Sequence, residues 1–270
     1  MCDAESAMVT RSQVRRAGER LRKHKTASVA DRQIYSDYRD TFADPLREVA
    51  EKIGSFAEDA PVQSRLKRFE TVVEKLRRST SDLSRLEDIA GCRVVLPTIT
   101  EQQRVLDSIR RAWELVRERD YQTSPRDGYR ARHIVVRAQG RPVEVQVRTL
   151  WEDMWANASE ALANSIDPEI KYGGGPPGAR RVLDDASVLC AGLDAAAVSR
   201  HTGGRDSPDL GRALTELLTA AAAAIQLRAL ASIPSDTLPA EFELALSDAE
   251  DRIVRDAVDA VMRSFTRDDA

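Results

Sequence analysis

Apolar residues in the first part of the chain recur at spacings of three and four. Ile34, Tyr38, Phe42, Leu46, Val49 and Ile53 predict an amphipathic helix over 31–56, interrupted before Pro45 because a proline ring cannot continue a helix interior. Residues 1–30 are rich in Arg, Lys, Glu and Ser and read as a basic, partly helical arm. After a linker at 58–61, a basic stretch over 65–78 ends in a helix. Residues 83–90 predict a short helix stopped by Gly91, and 93–96 a short buried strand closed by Pro97. Thr100 is placed to cap the next helix, whose apolar stripe is Val105, Leu106, Ile109, Trp113 and Val116. Two extended runs, 132–137 and 142–147, flank Gln139-Gly140 and predict a hairpin. Helical spacing returns from Leu150 to Ile166, with Trp151, Met154, Trp155 and Leu162. The GGGPP run at 173–177 is the strongest break in the chain. Beyond it come an Ala-rich helix at 179–200, a Gly/Asp/Ser linker at 201–208 and two helices at about 209–232 and 240–266.

A middle that alternates helices and strands between helical ends predicts an α+β core with helical N- and C-terminal extensions. The expected division is a basic helical region over 1–60, a core over 61–178 and a helical region over 179–270.

Composition narrows the possibilities. The 270 residues carry 41 Lys and Arg against 44 Asp and Glu, a net charge of −3, so the chain is no strongly basic, histone-like binder. That figure averages a basic front half and a more acidic tail, which leaves room for local basic patches. Cysteines at 2, 92 and 190 form no metal spacing and no even disulfide set, which predicts a reduced, cytosolic interior. Three scattered histidines argue against a His-based zinc site. No signal peptide and no run of about 18 apolar residues is present, so a cytoplasmic protein without membrane contact is expected.

The hairpin carries the most informative chemistry. On a strand, Val143, Val145 and Val147 point to one face and Glu144, Gln146 and Arg148 to the other. With Gln139-Gly140 at the tip, His133 faces Gln146 and Val135 faces Glu144, which puts His133, Gln146 and Glu144 on one face. An ordinary half-exposed hairpin shows the same alternation. In PRDGYRARH, Gly128 permits a tight turn, and Tyr129 could either stack a base or cap the core. Arg65, Lys67, Arg68, Lys75, Arg77 and Arg78 could cradle a polyphosphate or form a solvated basic face. Asp88 could hold a hard cation together with Glu144, or pair with Arg93 or another nearby Arg.

Five runs in this order, SRLKRFETVVEKLRR, LEDIAGCRVV, RERDY, PRDGYRARH and EVQVRT, resemble the synthetase domain of the RelA/SpoT family, over about 64–165. The resemblance implies a nucleotidyltransferase-like core with a mixed sheet. It implies transfer of the β,γ-pyrophosphate of ATP to the 3′-hydroxyl of GDP or GTP, with Mg²⁺ as cofactor. Arg65, Lys67, Lys75 and Arg93 fall on ATP-binding positions, with Arg65 and Arg93 sandwiching the adenine. Asp88 falls on the metal-binding aspartate, and Glu144 on the acidic residue that completes the metal site or activates the acceptor hydroxyl. Tyr129 falls on the tyrosine that stacks on the acceptor guanine, with His133, Gln146 and Arg126 as supporting contacts.

The departures cluster on the acceptor side. Arg126 and Asp127 replace the usual Lys and Asn, the run is one residue shorter, RARH replaces RSLH, and Thr71 stands for a Ser. The run WEDMWANASEALANSIDPEIKYGGG resembles a branch of small members that includes toxins, some of which pyrophosphorylate the tRNA 3′ end. In that branch an antitoxin partner is expected, and Arg11, Arg15, Arg16, Arg20, Arg22, Lys23 and Lys25 could serve tRNA. Adenosine alarmones are a further product class, and a non-catalytic nucleotide sensor is the alternative outside enzymes. No His-Asp dipeptide is present, so the resemblance implies synthesis without the family's hydrolase domain. The C-terminal helices are expected to serve homo-oligomer contacts, a regulator or packing on the core.

Overall fold

Alternating valines build the centre of a five-stranded sheet. The structure, a computed structural model, describes residues 9–57, 60–79 and 81–200. The linker expected at 201–208 and the helices expected at 209–232 and 240–266 lie outside the described residues. The strands are β1 (Val62–Leu66), β2 (Ala90–Leu96), β3 (Glu114–Asp120), β4 (Arg132–Ala138) and β5 (Arg141–Thr149). Their order is β1-β2-β5-β4-β3, with β2 and β5 parallel and every other pair antiparallel, so the sheet is mixed and the fold α+β. The hairpin has the expected register, with His133 opposite Gln146 and Val135 opposite Glu144. Gln139 and Gly140 at its tip both take positive φ, the conformation a two-residue hairpin turn requires.

One face of the sheet is apolar. Cys92, Val94, Ile134, Val143, Val145 and Val147 are buried with residues of α3 (Ala43–Phe56) and α5 (Ile99–Ala112), among them Leu46, Val49, Ile53, Leu106 and Ile109. Gln102 of α5, 1 % exposed, donates to the Val147 carbonyl at 3.0 Å and so ties the helix to the sheet. Three more helices belong to the same unit: α1 (Arg11–Lys23), α2 (Val29–Asp40) and α4 (Phe69–Arg78).

Several expectations require correction. The segment 31–56 is interrupted before Pro45 as expected, into α2 and α3 with the break at Thr41 and Phe42, but the proline is not its cause. Pro45 sits in the first turn of α3, where its missing N–H has no helical partner to lose. Residues 11–23 are the helical part of the basic N-terminal region, but they pack on the core rather than stand off as an arm. They form a capped helix whose narrow stripe of Val14, Ala17, Gly18 and Leu21 is buried. A side chain at Gly18 would put its Cβ 2.6 Å from that of Leu83, so glycine allows this close approach. Only Leu83–Arg85 is helical, as a single 3-10 turn; Ala90 and Gly91 already belong to β2, so Gly91 stops no helix. The cap of α5 is Thr98, not Thr100, accepting from the Glu101 N–H. Trp113 ends that helix and Val116 lies in β3, which the apolar spacing had assigned to the helix.

A second unit comprises 123–130 and the chain from 150 onward. Its described elements are α6 (Leu150–Ser165), a 3-10 turn at Pro168–Tyr172 and α7 (Pro177–Arg200). Trp151, Trp155, Leu162, Ile170, Leu183 and Cys190 are among its core residues. Burial raises the thiols of Cys92 and Cys190 to about 12, so both are inert core groups, as expected. Among the described residues no helix is long and apolar enough to cross a membrane.

Candidate active site

The other face of the sheet is polar, and the pairing register orders it into rows. Residues directly opposite on neighbouring strands share a face. One row runs Gln63, Arg93, Gln146, His133, Arg119 across all five strands. The next row on the same face runs Arg65, Gly91, Glu144, Val135, Arg117. Arg65, Arg93, Glu144, Gln146 and His133 are thus gathered on one surface.

Glu144 sits at the centre of a hydrogen-bonded group. Its Oε1 lies 3.2 Å from Nδ1 of His133, and Gln146 Nε2 donates to its Oε2 at 3.0 Å. Arg148 Nη2 donates in turn to Gln146 Oε1 at 3.0 Å. Burial raises the Glu144 pKa, but the His133 hydrogen bond and charge, the Gln146 bond and the Lys67 charge outweigh it and lower the pKa to about 2. Glu144 therefore stays ionised at any ordinary pH. Tyr121 meets the His133 ring edge-on, with centroids 5.2 Å apart.

A second cluster forms where β1 ends and β2 begins. Asp88 Oδ2 accepts from both Lys67 and Lys75. The pairing with Arg93 considered from the sequence is not formed; Arg93 instead donates to Gln63. The Lys67 N–H donates to the Ile89 carbonyl at 2.8 Å, which holds the two strand ends together. Tyr35 and Arg39 of α2 donate to the Lys67 carbonyl at 2.6 and 3.2 Å. Burial opposes ionisation of Asp88, yet the two lysines hold its carboxyl below the usual range. The Lys67 charge acts on both carboxylates.

Asp88 Oδ1 is buried and has no hydrogen-bond partner. An orphaned carboxylate oxygen beside two lysines suits a hard cation. No group of three or more His, Cys, Asp or Glu suited to a metal occurs among the described residues. Asp88 Oδ1 is the type of donor that Mg²⁺ takes, since that ion uses one or two carboxylates and draws its other ligands from phosphate and water.

Tyr129 and Arg126 lie in the second unit. The loop closes on reciprocal backbone bonds between Arg126 and Tyr129, at 3.2 and 2.9 Å, over Asp127 and Gly128 with positive φ. Arg126 is 71 % exposed at the side chain. Tyr129 packs against Trp155, with ring centroids 6.1 Å apart. Alternation already placed Arg148 on this face with Glu144 and Gln146, without a role; Arg119 fell within the RERDY run, for which no strand was expected.

The fold and site define an α+β domain whose sheet has one apolar face and one face of arginines, an ionised carboxylate and an imidazole. Residues 64–164 match the region found in RelA / SpoT proteins. The chain is 31% identical over 148 residues to GTP pyrophosphokinase YjbM of Bacillus subtilis, covering 49% of this chain and 67% of that one. It is 33% identical over 166 residues to an uncharacterised Mycobacterium tuberculosis protein, covering 59% of this chain and 60% of that one. It thus spans about 60% of the length of the uncharacterised mycobacterial relatives it matches. The crystal structure of small alarmone synthetase 1 from Bacillus subtilis superposes with a TM-score of 0.50 at 26% identity, over 62% of this chain and 97% of that one. The chain belongs to the RelA/SpoT family.

Proposed function

We propose that this chain transfers the β,γ-pyrophosphate of ATP to the 3′-hydroxyl of GDP or GTP. The observation that carries the reading is the polar sheet face, where Arg65, Arg93, Glu144, Gln146 and His133 occupy two adjacent rows. Arg65 and Arg93 are diagonal neighbours on antiparallel strands, so their Cβ atoms stand about 7 Å apart. That gap suits one planar base stacked between two guanidinium planes. Lys67 and Lys75 supply positive charge for a triphosphate, in exchange for or alongside their contact with Asp88.

In the step proposed, the acceptor 3′-oxygen bonds to the β-phosphorus of ATP. The bond from that phosphorus to the α–β bridging oxygen breaks, and AMP departs with both electrons. The hydroxyl proton is released to solvent. A carboxylate with a pKa near 2 is a poor proton store, so Glu144 serves better by accepting a hydrogen bond from the hydroxyl and orienting it. Pyrophosphoryl transfer proceeds through a loose transition state that asks for positioning and charge neutralisation more than for a strong base. Asp88 and Glu144 would hold Mg²⁺, which would neutralise phosphate charge. Tyr129 provides an aromatic platform for the acceptor base, with Arg126 as an exposed cation beside it.

The test is label transfer from γ-labelled ATP to GDP or GTP on thin-layer chromatography. A labelled 3′-pyrophosphorylated guanine nucleotide is expected, and its absence with every guanine and adenine nucleotide contradicts the reading. A tRNA 3′ end is the second acceptor reading, supported by the exposed Arg11, Arg15, Arg16 and Lys23 of α1. Label on tRNA and none on free nucleotides favours it.

A further inference from the structure

We infer that α6, the glycine run after it and α7 form a mould that sets the acceptor loop carrying Tyr129, so that acceptor affinity is controlled in part from beyond the segment matching the family, by the glycine run and α7. The inference rests on the proposed role of Tyr129. Four consecutive loop residues meet α6, α7 and the glycine run of the second unit. Gly173 (φ +77) packs its backbone on Asp127, where an added Cβ would lie 2.3 Å from Oδ1. Gly128 (φ +82) packs on Trp155, where an added Cβ would lie 2.8 Å from Cζ2, and 3.4 Å from the Leu183 carbonyl oxygen. Tyr129 packs on Trp155. Arg130 Nε donates to Ser187 Oγ at 3.0 Å. Trp155 is itself fixed to α7, its Nε1 donating to the Leu183 carbonyl at 2.7 Å.

These contacts assign work to two features the chemistry leaves unused. The GGGPP run puts a left-handed glycine against Asp127, and α7 presents a buried serine, 4 % exposed, to Arg130. Gly173, Leu183 and Ser187 all lie beyond residue 164, where the family match ends. The loop backbone is also demanding: Asp127 and Gly128 both take positive φ, a conformation that an L-residue such as Asp127 adopts only when its surroundings hold it. A loop so held presents its aromatic ring without an ordering cost on binding.

The test uses the full chain with Ser187→Ala, Gly173→Ala and the conservative Ser187→Thr. Hydrogen exchange of 123–130 is expected to quicken in Ser187→Ala and Gly173→Ala while exchange of β2 and β5 stays unchanged. The KM for the acceptor is expected to rise by about tenfold or more in Ser187→Ala, the loss of one hydrogen bond from a charged guanidinium, with the KM for ATP unchanged. Ser187→Thr, which keeps the hydroxyl, is expected to restore both. Unchanged exchange at 123–130 in Ser187→Ala overturns the inference, as does a matching rise in both KM values. Should wild-type protein transfer label to no acceptor, the functional reading fails, and the exchange measurement still decides whether the mould exists.

Discussion

His133 on β4 and Glu144 on β5 meet with Nδ1 and Oε1 3.2 Å apart, and they do so from adjacent rows of the polar sheet face. Because a carboxylate only accepts, this contact places a proton on Nδ1. The pair makes Glu144 a fixed negative charge rather than a titrating group at neutral pH.

A pH dependence of stability follows. The folded-state pKa of Glu144 is lowered from 4.5 to about 2, against the opposing effect of burial. Its ionised form stabilises the fold fully above 4.5, and that contribution is lost as the pH falls toward 2. Glu144→Gln removes the titration, so the variant loses less stability than wild type across that window. Urea unfolding at about pH 5 and about pH 3 measures it. Equal losses in the two proteins contradict the assignment.

The two lysines on Asp88 are expected to be unequal. The side chains of Lys67 and Asp88 are 18% and 14% exposed, whereas that of Lys75 is 42% exposed. Coupling across a shielded pair exceeds that across a half-exposed one, which solvent screens. In double-mutant cycles with Asp88→Asn, Lys67→Met should show a coupling above about 1 kcal/mol and Lys75→Met one below it. Equal couplings would remove the distinction drawn between them.

Tyr35 is 2 % exposed, and its hydroxyl donates to the Lys67 carbonyl at 2.6 Å. Burial raises its pKa to about 12, so it remains a donor throughout the working range. Tyr35→Phe is expected to cost about 1 kcal/mol, the ordinary worth of one such bond. The cost stays small because Arg39 still donates to the same carbonyl. Thermal or urea unfolding reads the difference, and a loss several times larger would mean that Tyr35 does more than hold this carbonyl.

The parts of the fold that were legible are those with local causes. Val143, Val145 and Val147 alternate, and Gln139-Gly140 pins the tip, so the hairpin register and the shared face of His133, Glu144 and Gln146 could be derived. β3 could not, because ELVRERD is an edge strand whose side chains are mostly charged and exposed, with no apolar alternation to mark it. The packing of α1 was hidden for a related reason: its buried stripe is only Val14, Ala17, Gly18 and Leu21 in a helix otherwise dominated by arginine and polar residues. Spacing could propose Lys67, Lys75 and Asp88 separately, but their convergence depends on β1 ending beside the start of β2. The hold of Trp155, Gly173 and Ser187 on loop 127–130 joins residues far apart in the chain, and no periodicity announces it.

The central claim is that the polar face and the Asp88 cluster together perform pyrophosphoryl transfer. The most direct measurement incubates γ-labelled ATP with GDP, GTP, adenine nucleotides and tRNA in separate reactions with Mg²⁺, for wild type, Asp88→Asn and Glu144→Gln, while AMP is quantified. AMP release matched by label on a guanine nucleotide is expected in wild type, and loss of both in each variant, with folding retained by circular dichroism. Wild-type protein that labels no acceptor, or variants that transfer as well as wild type, would contradict it.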